Sequence, residues 1–281
     1  MRNVLPRALR LTCAALLFAH GAAHADVRRV VSLSPCLDVI LVNIADREQV
    51  AALSHYSSED DTSTITDLAR TFPMTYESAE EVIALAPDLV LTSRHFSRAT
   101  LNVLQRIEIK TELFNESLTV ADSIAQVRRI AALVDRADRG EALVARIEAA
   151  IKAAELKDGA SPIPAVIFQR NGFSPGTGTL MDELMRRVGF INVAARYGAE
   201  WGNIPLEELV VAPPQVLLAG EIRPNMPTWA DRVLRHPSLR HLESRMTRAT
   251  LPDRLLYCAG PVLIQTADAL MKARDAHKAR P

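Results

Sequence analysis

Eleven side chains of this 281-residue chain could together hold a large ligand: His55, Tyr56, Arg94, His95, Phe96, Arg170, Phe173, Tyr197, Trp201, Arg223 and Tyr257. Only 5% of the residues are aromatic, so the concentration of rings in these few segments is notable. Stacking rings beside arginines suit a bulky, partly planar, partly anionic molecule. His55 and His95 could instead ligate a bare metal ion or act as a general base. Residues 96–235 contain no histidine, however, so a metal would have to recruit carboxylates from the second half. No bare metal site is therefore expected.

The elements that must position these groups are legible from periodicity. Short β-rich runs cover 29–33, 50–53, 89–91, 111–114, 165–168 and 216–218. Helical patterns at 37–44, 80–85, 100–107, 179–189, 207–211, 229–234 and 264–272 alternate with them. A further strand is read at 255–258. Strands alternating with helices imply a parallel sheet covered on both faces. Ligands bind such sheets at the carboxyl ends of the strands. The eleven residues fall in segments expected at those ends, namely 34–37, 54–60, 93–96, 169–179, 197–203, 221–225 and 257–260. Between the two α/β stretches lies a proline-free region. One helix is expected with Val120, Ile124, Val127, Ala131 and Val134 on a face. A second long helix, capped by Asp138, carries Leu143, Ile147 and Ile151.

An internal repeat makes these stretches two similar lobes. The run Ala79-Glu80-Glu81-Val82-Ile83-Ala84-Leu85-Ala86-Pro87-Asp88-Leu89-Val90-Leu91 aligns without a gap to the run from Leu206 to Leu218. Each is an acidic pair, an apolar helical turn, proline and a buried strand. Glu80 and Glu207 are thereby singled out as a symmetric pair, in helix first turns where acids also complement the dipole.

Composition excludes several functions. Basic and acidic residues balance at 33 each, which argues against nucleic acid as a partner. From residue 26 the first glycine is Gly140, so the first lobe has neither a P-loop nor a G-x-G-x-x-G turn. No G-x-S-x-G elbow and no H-E-x-x-H helix occurs.

Arg2, Arg7 and Arg10 precede an apolar run over 11–19 and then Ala23-His24-Ala25. This is the pattern of a cleavable signal peptide over 1–25, too short to span a bilayer. Cleavage leaves 30 basic against 33 acidic residues. The expected organisation is an α/β lobe over 26–118, a helical linker over 119–158 and a second α/β lobe over 159–281. Two cysteines, Cys36 and Cys258, then remain in an oxidising compartment. Two separate buried thiols is the preferred state. A disulfide bridging the lobes and a soft thiolate ligand are the alternatives.

The run Val30-Val31-Ser32-Leu33-Ser34-Pro35, the stretch 79–91, Gly178-Thr179-Leu180-Met181-Asp182-Glu183-Leu184, Gly189-Phe190-Ile191-Asn192-Val193-Ala194 and Leu206-Glu207-Glu208-Leu209 resemble the cobalamin, ferric-siderophore and haem branch of periplasmic solute-binding proteins. That resemblance implies two parallel-sheet α/β lobes joined by a single long helix, with the ligand in the cleft between them. It also implies a monomeric carrier without an intrinsic cofactor, serving an inner-membrane ABC permease dimer. Glu80 and Glu207 match the glutamates that dock permease arginines in that family. For haem, His55, Tyr56, Tyr197 and Tyr257 could supply axial ligands. For an anionic siderophore, Arg94, Arg170 and Arg223 could provide the grip. For a corrin, Trp201 and Phe173 could pack on the ring. The loop 54–60 departs from the family's proline-containing turn and leaves the ligand open. The alternative function is an exported α/β enzyme using a cleft histidine as general base.

Overall fold

The computed structural model of the protein describes residues 27–169, 172–198, 200–220 and 245–279. The segment read as a signal peptide, the helix expected at 229–234, and Arg170 and Arg223 lie outside the described residues.

The first lobe is a parallel sheet with strand order β3-β2-β1-β4-β5. Its elements are β1 (Val30–Ser32), α1 (Pro35–Ile44), β2 (Val50–Ser54), α2 (Thr66–Ala69), β3 (Met74–Thr75), α3 (Ala79–Ala84), β4 (Leu89–Ser93), α4 (Arg98–Arg106) and β5 (Thr111–Phe114). Two helices follow, α5 (Val120–Leu133) and α6 (Ala137–Ala154). The second lobe then builds β6 (Ile163–Phe168), β7 (Phe173–Pro175), α7 (Leu180–Val188), β8 (Phe190–Asn192), β9 (Trp201–Asn203), α8 (Leu206–Val211), β10 (Val216–Ala219) and β11 (Thr247–Thr250). Helix α9 (Val262–Lys278) closes the described chain. The second parallel sheet has the order β11-β10-β6-β8, and β7 pairs with β9 in a separate antiparallel ribbon.

The two sheets share a topology. Strands β2-β1-β4-β5 correspond in order to β8-β6-β10-β11. In register, Val30 faces Leu89 and Ala165 faces Val216. Leu89 and Val216 are the residues that the sequence repeat aligns, so the repeat extends from one helix–proline–strand unit to most of a sheet.

Period-2 alternation decides where the core sits. On β6 and β10, Ala165, Ile167, Val216 and Leu218 face one cluster; Val166, Phe168, Leu217 and Ala219 face the other. On β1 and β4, Val30, Leu89 and Leu91 enter that first cluster, and Val31 and Val90 pack in a small one of their own. The first cluster is therefore common to both lobes. It is completed by α1, α5, α6, α7 and α9, and each lobe keeps a private core on its outer face. Helix α6, 18 residues and so about 27 Å long, is the spine of this shared core. It packs on α1 from the first lobe and on α7 and α9 from the second. Gly140 brings α6 against α5, since a β-carbon there would lie 2.4 Å from that of Ala131.

Local signals set most boundaries. Pro35 opens α1, where its fixed φ suits a first turn. Thr119 and Asp122 cap α5 reciprocally. Thr179 caps α7 at one end, and Gly189, with φ +95°, closes it at the other.

Three expectations are corrected. Asp138 does not cap α6; it sits in the first turn, and Arg136 occupies the cap position without a side-chain bond. The strand expected at 255–258 is irregular chain after a 3-10 turn at Asp253–Leu255. Pro252 begins that turn, and the lobe's outer strand is β11 instead. The two cysteines are not separate thiols. Cys36 and Cys258 form a disulfide with Cα atoms 4.9 Å apart, across 222 residues of sequence.

Gly260 sits beside that bond with φ +64°, a conformation costly for residues with a β-carbon. A β-carbon there would lie 2.7 Å from Ile40 Cγ1. Gly260→Ala is expected to destabilise the protein by about 1–3 kcal/mol in urea denaturation. An unchanged midpoint would show that the junction relaxes freely.

Candidate functional site

The carboxyl ends of both sheets face a cleft between the lobes. Its first-lobe wall is built from Ser34, Cys36 and Leu37 after β1, Ser93 and His95 after β4, and the loop 114–118 after β5. Its second-lobe wall consists of Thr179, Leu180 and Met181 at the start of α7, Glu200 and Trp201 on the ribbon, and the segment 256–259. Two cavities of about 850 and about 280 Å3 adjoin along this cleft. They share the loop 114–118, Gln126, Thr179 and Trp201, so they form one continuous space. Its size suits a large chelate rather than a simple ion.

Of the residues singled out in the sequence, His95, Trp201 and Tyr257 line this space. Trp201 is 46% exposed and Tyr257 50% exposed, and exposed rings of that size are ready contact surface. Trp201 owes its place to the β7–β9 ribbon, which pairs it with Pro175 and also displays Phe173. Arg94 is exposed after β4, and its backbone N–H donates to Phe114 O.

His55 and Tyr56 lie on the same carboxyl-end rim, in a 3-10 turn after β2, and are not among the residues that line the two cavities. There they meet Tyr76, which the sequence reading missed. The His55 ring lies 3.9 Å from that of Tyr56 and 4.8 Å from that of Tyr76. His55 Nδ1 is buried without a hydrogen-bond partner, 4.0 Å from Glu77 Oε1. Glu77 adopts φ +71° and accepts a hydrogen bond from Ser54 Oγ. Burial pushes its carboxyl above the usual carboxylate range. Below it, Asp38 is fully buried; its Oδ2 accepts from Ser54 N at 2.9 Å and Ser57 Oγ at 2.6 Å. Burial pushes Asp38 up to about 8, against smaller lowering effects of Ser32, Ser57 and the Ser54 N–H.

Two further residues of that set touch the private cores. Phe96 lies half-buried against the first lobe's private core. Tyr197 packs on the second lobe's private core and donates its hydroxyl to Glu208 Oε2 at 3.0 Å. Burial and that carboxylate push its phenol pKa upward. The cleft in turn exposes residues not singled out in the sequence: Asn115, Glu116 and Leu118 of the loop after β5, Gln126 and Glu200. The rule that ligands sit at strand carboxyl ends applies to that loop as well as to its neighbours.

The charged groups of the cleft wall are unequal in freedom. Arg129 donates to Glu112 and to Leu113 O, with its guanidinium 4.5 Å above the Phe114 ring. Asp122 is engaged in capping α5. Among the described residues, no group of three or more His, Cys, Asp or Glu side chains is placed to hold a metal ion.

Glu80 and Glu207 are exposed in the first turns of α3 and α8. Their neighbours are not equivalent to them. Glu81 accepts from Tyr76 N at 2.7 Å and Thr75 Oγ1 at 2.9 Å, and Glu208 accepts from Tyr197. Neither Glu80 nor Glu207 has a hydrogen-bond or ion-pair partner among the described residues.

No curated protein sequence matches the chain. Solved structures do match in fold. The periplasmic haem-binding protein RhuT from Roseiflexus sp. RS-1, in apo form, superposes with a TM-score of 0.66 at 22% identity, over 88% of this chain and 99% of that one. The periplasmic vitamin B12 binding protein BtuF of Vibrio cholerae gives 0.68 at 14% identity, over 91% and 99%. The periplasmic haem-binding protein BhuT in complex with two haems gives 0.70 at 20% identity, over 89% and 99%. A family model described as periplasmic binding protein matches residues 30–244. That match spans more than half of the sequence, and the chain belongs to the periplasmic binding protein family.

Proposed function

We propose that the protein is the ligand-carrying component of an ABC importer, and that its cargo is an iron chelate or corrinoid: haem, cobalamin or a ferric siderophore. The observation that carries this reading is the interlobe cleft, large enough for a macrocycle, into which Trp201 and Tyr257 present half-exposed rings. The fold it shares with RhuT, BhuT and BtuF supports a macrocyclic ligand. The rim cluster of His55, Tyr56 and Tyr76 offers nitrogen and phenol donors suited to haem iron. The carrier is exported through a signal peptide over 1–25 and acts as a monomer, with lobes over 26–118 and 159–281 on either side of the helices at 119–158. No helix of the described residues is long and apolar enough to cross a membrane. Glu80 and Glu207 engage the permease. The alternative of an enzyme with a histidine base finds no support in a family of binding proteins.

Titrating the mature protein with haemin, cyanocobalamin and ferric siderophores tests the reading. One of these is expected to raise the melting temperature. A ligand at 100 times its Kd stabilises the folded state by about 2.7 kcal/mol. With haemin, a Soret band is expected that shifts when His55, Tyr56 or Tyr257 is replaced. With cyanocobalamin, Trp201→Ala is expected to weaken binding about tenfold or more, by loss of ring burial. No change in absorbance or melting with any of the three would refute the cargo assignment.

A further inference from the structure

The second-lobe segment 256–260 belongs to neither strand nor helix, yet it supplies Leu256, Tyr257, Cys258 and Ala259 to the cleft wall. It is fastened at three points. Cys258 is bonded to Cys36 at the start of α1. The Gly260 N–H donates to Ser123 Oγ of α5 at 2.8 Å, and Ser123 is fully buried. Gly260 also presses on Ile40 of α1 so closely that no β-carbon fits. The disulfide is the one covalent fastening of the three. It joins the two cleft walls themselves, since Ser34, Cys36 and Leu37 form the opposing side. Beneath it the lobes meet through the shared apolar core, whose contacts are non-directional. The bond ties the walls covalently where they face each other, with Cα atoms 4.9 Å apart.

We propose that the Cys36–Cys258 disulfide licenses ligand capture: the oxidised protein holds the two cleft walls at binding separation, and the dithiol form does not retain the ligand. The site is the one assigned above, and the proposal rests on that assignment for its ligand but not for its geometry. The bond forms by thiol–disulfide exchange with a disulfide-bearing oxidase. One cysteine thiolate attacks the oxidase disulfide to give a mixed disulfide. The second thiolate then displaces the oxidase as its dithiol, which takes up the two electrons, and two protons leave the cysteines. Such oxidation belongs to exporting compartments and not to a reducing cytosol. A newly made chain therefore crosses the membrane empty and becomes a receptor only after oxidation, so it cannot carry the cell's own macrocycles outward.

The test compares the oxidised mature protein, the same protein after reduction by a phosphine, and the Cys36→Ser/Cys258→Ser variant. Circular dichroism and a cooperative melt verify folding in each. Hydrogen–deuterium exchange is followed in peptides covering 34–41 and 256–263, and binding is measured with haemin and cyanocobalamin. Exchange in both peptides is expected to rise at least tenfold on loss of the bond. The Kd for whichever probe the oxidised form binds is expected to rise at least tenfold. Equal exchange and equal Kd with and without the bond would overturn the proposal and leave a structural staple. Should the double variant not fold, the reduced native protein still decides it. Should neither probe bind the oxidised form, haem and cobalamin are removed as cargo, a ferric siderophore takes their place in the same Kd comparison, and failure of all three refutes the cargo assignment while the exchange comparison still judges the wall-spacing role.

Discussion

Uptake by the cognate importer is expected to collapse in the Glu80→Ala/Glu207→Ala variant, while ligand affinity and melting temperature stay as in the parent. The two glutamates occupy matching places in lobes with matching sheet order. Each projects from a helix that leads, through a proline, into an inner strand, β4 or β10. The adjacent acids cannot substitute for them. Glu81 and Glu208 are consumed by Tyr76, Thr75 and Tyr197 within their own lobes. Ile83 is 40% exposed and Val211 82% exposed on the same two short helices, so each free acid has an apolar neighbour. A partner with two-fold symmetry can present one arginine to each lobe. A charge-assisted hydrogen bond contributes about 1.5–3 kcal/mol. Loss of both then costs about 3–6 kcal/mol of docking, roughly a hundred- to ten-thousand-fold in affinity. Each single variant should fall between. Glu81→Ala and Glu208→Ala are the informative controls, because they should lower stability and leave docking almost intact. Normal transport by the double variant would remove these residues from the interface.

What the sequence disclosed and what it hid divide along local and non-local lines. The repeat was legible because helix, proline and buried strand each follow from near neighbours, and both copies keep all three. The ends of α7 were legible for the same reason, since Thr179 and Gly189 act within one turn. Strand β11 was not. Of its four residues only Thr247 is buried, so Thr247–Thr250 lacks the apolar run that marks an inner strand, and the leucines at 255 and 256 drew the assignment downstream. The cysteine pairing depends on the packing of α1 against a segment 222 residues away, which no local pattern encodes. The candidate site shows the same limit. Position at a strand end placed His95, Trp201 and Tyr257 along the cleft. It could not say that Phe96 and Tyr197 would turn into private cores, because side-chain direction there depends on the neighbouring elements. Asp38 was not singled out, lying next to the apolar stripe of Leu37, Ile40, Leu41 and Ile44.

Asp38 should nevertheless dominate the pH dependence of stability. Its carboxyl titrates at about 8 in the folded protein against an ordinary 3.8, because burial removes the water that would solvate the anion. Between those two values the folded state keeps a proton that the unfolded chain has released. Stability therefore falls as the pH rises through that interval, by up to about 1.4 kcal/mol per pH unit, and levels off above it. Glu77, raised by its own partial burial, adds a smaller slope of the same sign. The surface acids pull the other way: Arg136 and Arg139 hold Asp46 low, and Arg128 holds Glu141 low. Glu141 is solvent-exposed and Asp46 one-third exposed, so their opposition is weak. Asp38→Asn should flatten most of the slope and leave the variant more stable than the parent at pH 8, by several kcal/mol at about the upper limit. The amide oxygen can still accept from Ser54 N and Ser57 Oγ, so the junction of α1 with β2 survives the change. Asp38→Ala loses both bonds and should be weaker than the parent at pH 5 by about 1–3 kcal/mol. Urea denaturation at pH 5, 6.5 and 8 measures all three proteins. Parallel curves for the parent and Asp38→Asn would mean that Asp38 is already ionised in the fold. Cys36, two residues before this carboxyl, lines the cleft, so a charge on Asp38 develops next to the wall. Ligand affinity should accordingly weaken on the alkaline side in the parent and not in Asp38→Asn.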